Sequence, residues 1–381
     1  MPENLNNKRL ALFFTFRASL KTWHDTGIIS REVALYNRLS AHFKQIYFFT
    51  YGGKEDLKLK DFLTENITIV PIPFLRTSRA HTTPPLIIFL YSIFIPLIHY
   101  RILKKVDILK TNQMKGSWAA VLTKIVFRSK LIVRTGYVWS FSADKKNLPS
   151  LKQKLISLIE RLAYAFSDRT IVTSEEILTR IQQTHDVKGR VTVIPNSVDT
   201  DLFKPVNGEK RESSICFVGR LSSEKNLFSL LEAATDLPCT LTLVGSGDQK
   251  DTLVRYAREK GMHADFPGTI PNSELPRILN QHEVFVLPSL YEGMPKALLE
   301  AMSCGLPCIG TDVEGIRDIL VHKENGYLCG TDAKSLREAI TEMMNDHVLR
   351  EKTGRNARKT VMNTFSLEKV VNDEIFIYEK L

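Results

Sequence analysis

Residues Pro288–Met302, PSLYEGMPKALLEAM, follow an apolar run, VFVLP, that reads as a short buried strand ending at Pro288. A polar turn with Glu292 and Gly293 leads to Pro295, whose fixed φ suits the start of a helix. The residues after it, Lys296 to Met302, are nearly all strong helix formers. A loop therefore feeds a helix N-terminus. The backbone N–H groups of Gly293, Met294 and Lys296 lie where no intrahelical acceptor exists, and with the helix dipole they favour an anionic group such as a phosphate. Seven residues separate Glu292, ahead of the helix, from Glu300, inside it. At about 1.5 Å of rise per residue Glu300 lies roughly 7 Å beyond the helix start, so the two carboxylates reach different parts of one elongated ligand.

Outward from this stretch the second half repeats the strand-then-loop pattern. Ser214–Val218 reads as a strand followed by GRLSSEKNL, which sets Arg220 and Lys225 at the ends of a short turn before a helix. A guanidinium and an ammonium on one loop can neutralise a diphosphate, including the charge that builds on it as a leaving group. Thr240–Val244 reads as a strand followed by Gly245-Ser246-Gly247, a glycine pair that lacks the rest of a dinucleotide fingerprint. Cys308–Gly310 is a further strand, Asp312–Gly315 its loop, and Leu367–Tyr378 an amphipathic terminal helix.

With Glu292, seven residues, Glu300 and then AMSCGLPCIGTDVEG in register, the sequence resembles the donor-site signature of the retaining GT-B glycosyltransferases of glycosyltransferase family 4. The resemblance implies an α/β chain of two Rossmann-like domains with parallel sheets facing a central cleft. It further implies transfer of a sugar from a nucleoside diphosphate sugar to an acceptor hydroxyl with retention, without a metal or other cofactor. On matching positions, Glu292 lies against the donor sugar, while Gly293, Met294, Pro295 and Lys296 meet sugar and phosphate. Glu300 binds the ribose, and Arg220 and Lys225 stabilise the diphosphate. The segment FPGTIP resembles the family's base-contacting stretch, with backbone atoms of Thr269 and Ile270 at the base; backbone contacts leave uracil, guanine and adenine unresolved.

The first half departs further from the family. Where a Gly-Gly pair usually follows the first strand, Thr26 replaces the first glycine and Gly27 alone remains to admit the donor diphosphate. In LIVRTGYVWS, Thr135 stands where many members carry a His, and Thr135 or Arg134 is the expected donor or acceptor contact; His24 and His81 do not fit by register. These two departures support the alternative reading, a nucleotide-sugar epimerase or hydrolase, or an inactive binding protein on the same scaffold.

Length and composition bound these readings. At 381 residues two domains are expected, and 43% hydrophobic content suffices for two cores. The first half alternates strands (Leu10–Phe16, Ile46–Thr50, Ile67–Val70, Val106–Leu109, Lys130–Val133, Arg169–Thr173, Val191–Ile194) with helices, the βα order of an open parallel sheet. Leu151–Ala165 has Leu151, Leu155, Leu158, Ile159 and Leu162 on one face, the expected core face. Pro195, Pro205 and the polar stretch Asn207–Ser214 place a boundary near residue 205. The expected domains are an acceptor-binding 1–205 and a donor-binding 206–365, with the helix at about 366–381 returning to the first.

Residues 1–205 carry 31 Lys and Arg against 16 Asp and Glu and the remainder 21 against 26, so the net +10 of the chain arises from a strongly basic first half. Such asymmetry points either to an anionic partner, an acidic membrane surface or a phosphorylated acceptor, or simply to the solvated outer faces of helices. The basic residues are dispersed without a nucleic-acid motif, which argues against nucleic acid. Leu86–Ile98, LIIFLYSIFIPLI, is the most apolar segment; at 13 residues with Pro96 it is too short to span a bilayer, and it is expected to be a buried helix, or else a segment at the membrane interface. No secretory signal is expected in the polar Met1–Arg9 or the short Leu10–Phe16 run. Five cysteines at spacings of neither a zinc site nor a disulfide framework fit a reduced, cytoplasmic setting. The basic first half and the apolar Leu86–Ile98 segment, together with the family resemblance, imply a glycan or lipid-linked acceptor and peripheral membrane association.

Overall fold

A computed structural model describes residues 4–75, 83–141, 149–185, 187, 189–206, 208 and 210–381. His81 and Asn207 of the sequence analysis lie outside the described residues. The chain forms two compact units, Met1–Pro195 with Val371–Leu381, and Asn196–Val370.

The first unit is built on seven parallel strands: β1 (Arg9–Phe13), β2 (Gln45–Phe49), β3 (Ile67–Val70), β4 (Ile108–Thr111), β5 (Lys130–Thr135), β6 (Arg169–Val172) and β7 (Val191–Val193). Their spatial order is β3-β2-β1-β4-β5-β6-β7, with Leu10 paired to Ile46 on one side and Ile108 on the other. Helices cover a sheet of this kind on both faces, so the central strands are apolar throughout rather than alternating; Leu10, Ala11 and Leu12 are fully buried. The second unit has six parallel strands: β8 (Ser214–Val218), β9 (Thr240–Val244), β10 (Ala264–Gly268), β11 (Val284–Leu287), β12 (Cys308–Thr311) and β13 (Tyr327–Cys329). They lie in the order β10-β9-β8-β11-β12-β13. Phe285 of β11 pairs with Cys216 of β8 and Cys308 of β12, at the centre of that unit's core.

The division falls earlier than residue 205. Phe203 is buried in the second core, and its carbonyl accepts from the Arg358 guanidinium at 2.6 Å and the Ser303 hydroxyl at 2.6 Å, so the segment after Pro195 belongs to the second unit. The terminal helix, Leu367–Tyr378, returns its last turns to the first. There Glu374, fully buried, meets the Lys110 ammonium of β4, and Tyr378 Oη lies 3.0 Å from Lys110 Nζ. Burial pushes the Lys110 ammonium down to about 8, with Glu374 opposing and Arg134 adding to the shift.

Two expectations about helices are corrected. The Ser150–Phe166 helix forms as expected, but Leu151, Leu155, Leu158 and Leu162 point to solvent, and Ile156, Glu160, Ala163 and Tyr164 are buried instead. Periodicity identifies an apolar stripe; it does not say which stripe meets the sheet when a helix carries two. The Pro85–Ile98 helix buries only the side with Ile88, Tyr91, Ser92, Ile95 and Pro96, and leaves Leu86, Phe94, Leu97 and others exposed. It is not a buried helix. Among the described residues no helix is long and apolar enough to cross a membrane.

Candidate active site

In the second sheet the strand order reverses between β8 and β11, and ligands of open α/β sheets bind at such a switch point, beyond the carboxyl ends of the strands. The loops after β8 and β11 meet there. Leu290 N–H donates to the Glu224 carbonyl at 2.9 Å, and the Lys225 ammonium pairs with the Glu292 carboxylate. Glu292 also accepts from the Ser289 hydroxyl at 2.6 Å, and Ser289, fully buried, is anchored through its carbonyl by the Thr311 hydroxyl at the end of β12. The two side chains of the pair are only 17% and 11% exposed, so each holds the other's charge in a place that water screens poorly. Arg220, in contrast, is 74% exposed, with Glu224 at 3.9 Å.

Glycines bring the neighbouring loops into contact. A Cβ on Gly245 or Gly247 would lie 1.9 and 2.1 Å from the carbonyl oxygens of Gly219 and Leu221, so the turn after β9 lies directly on the turn after β8. Gly315, at φ +81°, lies on the Glu292–Gly293 backbone, its Cβ position 2.0 Å from the Gly293 oxygen. Only glycine fits there.

The helix after the loop is Lys296–Ser303, with Pro295 in the N-cap position, one residue ahead of the helix, where it offers no side-chain acceptor. Met294 carbonyl accepts from Asn196 Nδ2 at 2.8 Å, which fixes the loop just before the helix. Gly293 is exposed and Lys296 half-buried. Glu300, on the second turn, is buried, and Asn272 Nδ2, itself buried, donates to its Oε1 at 2.8 Å. Behind it, burial pushes the Cys304 thiol up to about 12, with the Glu300 charge adding. Thr269 is exposed, its hydroxyl donating to Ser246 at 3.1 Å, and Ile270 is half-buried. Asn272 and Ser289 were not singled out from sequence. Neither carries a signature of its own, because a buried amide and a buried hydroxyl are recognisable only by the carboxylates they hold.

The expected contacts in the first unit are placed differently. The segment that contains Gly27 is not a plain loop after β1: a short helix, Leu20–Asp25, intervenes, capped by Ser19. Gly27, at φ +72°, closes that helix by donating to the His24 carbonyl at 2.9 Å. Thr135 is fully buried and its hydroxyl donates to the Tyr137 carbonyl at 2.5 Å. Arg134 is turned into the buried cluster, Nη1 lying 3.4 Å from Glu374 Oε1; a carboxylate with no access to water draws the available cations to itself. Sequence reading also passed over Glu160, whose carboxylate accepts from Trp139 N–H at 2.6 Å in the loop after β5. Burial pushes its pKa up, against the hydrogen bonds from Ser140 and Trp139. Among the described residues no group of three His, Cys, Asp or Glu side chains is arranged to hold a metal ion.

Comparison with known proteins places this geometry. The model of the glycosyl transferases group 1 matches residues 199–360, and that of Glycosyltransferase Family 4 matches residues 33–202. The chain belongs to the GT-B glycosyltransferases of the family 4 type. Among its relatives is the Escherichia coli UDP-Gal:alpha-D-GlcNAc-diphosphoundecaprenol alpha-1,3-galactosyltransferase, 28% identical over 296 residues, which are 72% of this chain and 76% of the relative. The Bacillus anthracis N-acetyl-alpha-D-glucosaminyl L-malate synthase is 29% identical over 188 residues, 47% of this chain and 48% of that protein. In fold, the chain is similar to the sucrose-phosphate synthase of Thermosynechococcus elongatus (TM-score 0.79, 20% identity, 98% of this chain and 99% of that one). It is also similar to Anabaena HepE in complex with UDP (TM-score 0.77, 16% identity, 98% and 100%).

Proposed function

We propose that the protein transfers a sugar from a nucleoside diphosphate sugar to a hydroxyl of a lipid-linked glycan, with retention at the anomeric carbon, in the synthesis of a surface polysaccharide. The observation that carries the donor reading is the joining of the β8 and β11 loops at the switch point, where Lys225 pairs with Glu292 and Arg220 lies exposed on the same β8 loop beside Glu224. A diphosphate seated there meets the exposed guanidinium and competes with Glu292 for the ammonium. Glu292, relieved of part of that pairing, is then available to the hydroxyls of the sugar. Glu300, held by Asn272, takes the ribose, and the N-terminus of the Lys296–Ser303 helix faces the negative charge.

In the reaction the bond from the anomeric carbon to the diphosphate oxygen breaks and the acceptor oxygen forms its bond on the same face. The acceptor proton passes to the departing diphosphate, whose growing charge Arg220 and Lys225 stabilise. We assign these two cations the neutralising role that a divalent metal plays elsewhere, and acceptor binding to the first unit. The E. coli relative, whose name specifies a diphosphoundecaprenol-linked acceptor, supports a lipid-linked acceptor and a peripheral position on the inner face of the cytoplasmic membrane. The test is transfer of labelled sugar from UDP- and GDP-sugars to polyprenyl-diphosphate-linked saccharides in the presence of EDTA, with the product anomer read by NMR. Inversion, a strict metal requirement, or sugar-nucleotide loss equal with and without acceptor contradicts the proposal.

A further inference from the structure

In the first unit the Ser117–Phe127 helix packs against the Pro85–Ile98 helix on one side and the Ser150–Phe166 helix on the other. The three form one layer over the sheet, and its outer side is apolar to an unusual degree. Leu151, Leu155, Leu158 and Leu162 follow one another along one helix, 80%, 55%, 51% and 43% exposed. The Pro85–Ile98 helix adds an open groove of about 400 Å³ lined by apolar side chains, among them Ile87, Leu90, Phe94 and Leu97. Ile125 and Val126 of the middle helix are exposed between them.

The exposed charges of this layer are basic, and the adjoining Asp168 is paired with Lys124 of the middle helix. Residues 83–105, 115–135 and 149–166 contain one carboxylate, Glu160, and it is buried. Arg101, Lys104, Lys105, Lys152, Lys154 and Arg161 are all exposed on the first and third of these stretches. Monomeric proteins rarely leave a large contiguous apolar patch open to water. A protein partner of ordinary kind brings and finds about one hydrogen bond per 100–200 Å², which the apolar groove and leucine stripe do not offer. Apolar side chains flanked by Lys and Arg, without an exposed acid, match an anionic lipid surface: the former enter the acyl boundary and the latter meet phosphates. The Pro85–Ile98 helix, at roughly 1.5 Å per residue, is about 21 Å long against a hydrocarbon core of about 30 Å, so it suits lying in the interface and not crossing it.

We infer that the layer formed by these three helices is the surface by which the protein docks on an anionic bilayer. This rests on the peripheral position proposed above and names the residues responsible for it. The experiment is co-sedimentation of the full chain with phosphatidylcholine vesicles containing or lacking phosphatidylglycerol, for the wild type, Leu90→Glu/Leu158→Glu and Lys152→Gln/Lys154→Gln. Wild type is expected to bind only the anionic vesicles and to be released by salt. The Glu pair should weaken binding about tenfold or more and the Gln pair several-fold, with thermal melting unchanged because all four side chains are exposed. Wild type that ignores anionic vesicles overturns the inference, as does a Glu variant that binds like wild type. A wild-type dimer that the Glu pair converts to monomer assigns the layer to a second copy of the chain and overturns it too. Transfer to a detergent-solubilised acceptor, which needs no vesicle, tests the sugar-transfer reading separately.

Discussion

Breaking the Lys225–Glu292 pair should damage both folding and turnover, and the structure sets the size of each effect. Glu292 is about nine-tenths buried and has two visible partners, the Lys225 ammonium and the Ser289 hydroxyl. In Lys225→Met the carboxylate keeps only the hydroxyl. Loss of one partner from a fully buried pair costs roughly 3–5 kcal/mol; with some water access remaining here, about 2 kcal/mol is expected. Glu292→Gln keeps an acceptor for Ser289 but strands the ammonium, at a similar or smaller cost. Since each single variant leaves a charge unpaired and the double variant does not, the double should cost less than the sum by about 1–2 kcal/mol. Urea denaturation followed by far-UV circular dichroism reads these costs. Tryptophan fluorescence serves as an internal control, because Trp23, Trp118 and Trp139 all lie in the first unit and should report no change. In the assay of sugar transfer Lys225→Met should lower kcat by about 100-fold or more. Additive costs in the cycle would refute the coupling, and near-wild-type turnover in a folded Lys225→Met protein would refute the role of the ammonium.

Three further outcomes follow from other positions. Asn272→Ala removes the buried donor to Glu300; donor KM should rise about tenfold, in line with the worth of one hydrogen bond to a charged group, while kcat changes little, as steady-state kinetics over donor concentration will show. Gly315→Ala places a Cβ 2.0 Å from the Gly293 oxygen at φ +81°; the loop must move, and nucleotide affinity by calorimetry should fall while the urea midpoint drops by the equivalent of about 1–3 kcal/mol. The His99 imidazole, Nε2 2.9 Å from Tyr91 Oη, is pushed down to about 4 by burial, from an ordinary 6.5. Its neutral form is favoured in the fold, so the stability it contributes is present above pH 6.5 and is lost as pH falls toward 4. After allowance for its partial exposure the loss is about 1–2 kcal/mol, and His99→Gln should flatten that part of the pH profile of tryptophan-monitored unfolding.

Much of the scaffold is legible in the sequence because parallel strands buried on both faces announce themselves as apolar runs. Ile67–Val70, Ser214–Val218, Thr240–Val244 and the terminal Leu367–Tyr378 helix fall where the sequence places them. What periodicity does not resolve is orientation. On Ser150–Phe166 the leucine stripe is the more hydrophobic, yet Ala163 and Tyr164 face inward with a buried glutamate, since the layer's packing selects the side. The first strand is overextended because Phe14 and Phe16 are as apolar as β1 itself, although the chain there turns toward a Ser19-capped helix. At the site, the spacing of Glu292 and Glu300 and the cations of the β8 loop are visible in sequence. The partners that fix them, Ser289, Thr311 and Asn272, are not: Asn272 and Thr311 act across contacts between residues distant along the chain, and Ser289, though only three residues from Glu292, is held by Thr311. Arg134 has the same explanation in reverse: its partner, Glu374, lies at the far end of the sequence.

The measurement that bears most directly on the donor site is a thermal-shift panel of UDP, GDP, ADP and their sugar conjugates on the wild type and Glu300→Ala. A nucleotide at 100 times its dissociation constant adds about 2.7 kcal/mol, a rise of several degrees in a chain of this size. One nucleotide series should stabilise the wild type and lose most of its effect on the variant. Stabilisation by none of them, or equal stabilisation of wild type and variant, would contradict a donor site built on Glu300.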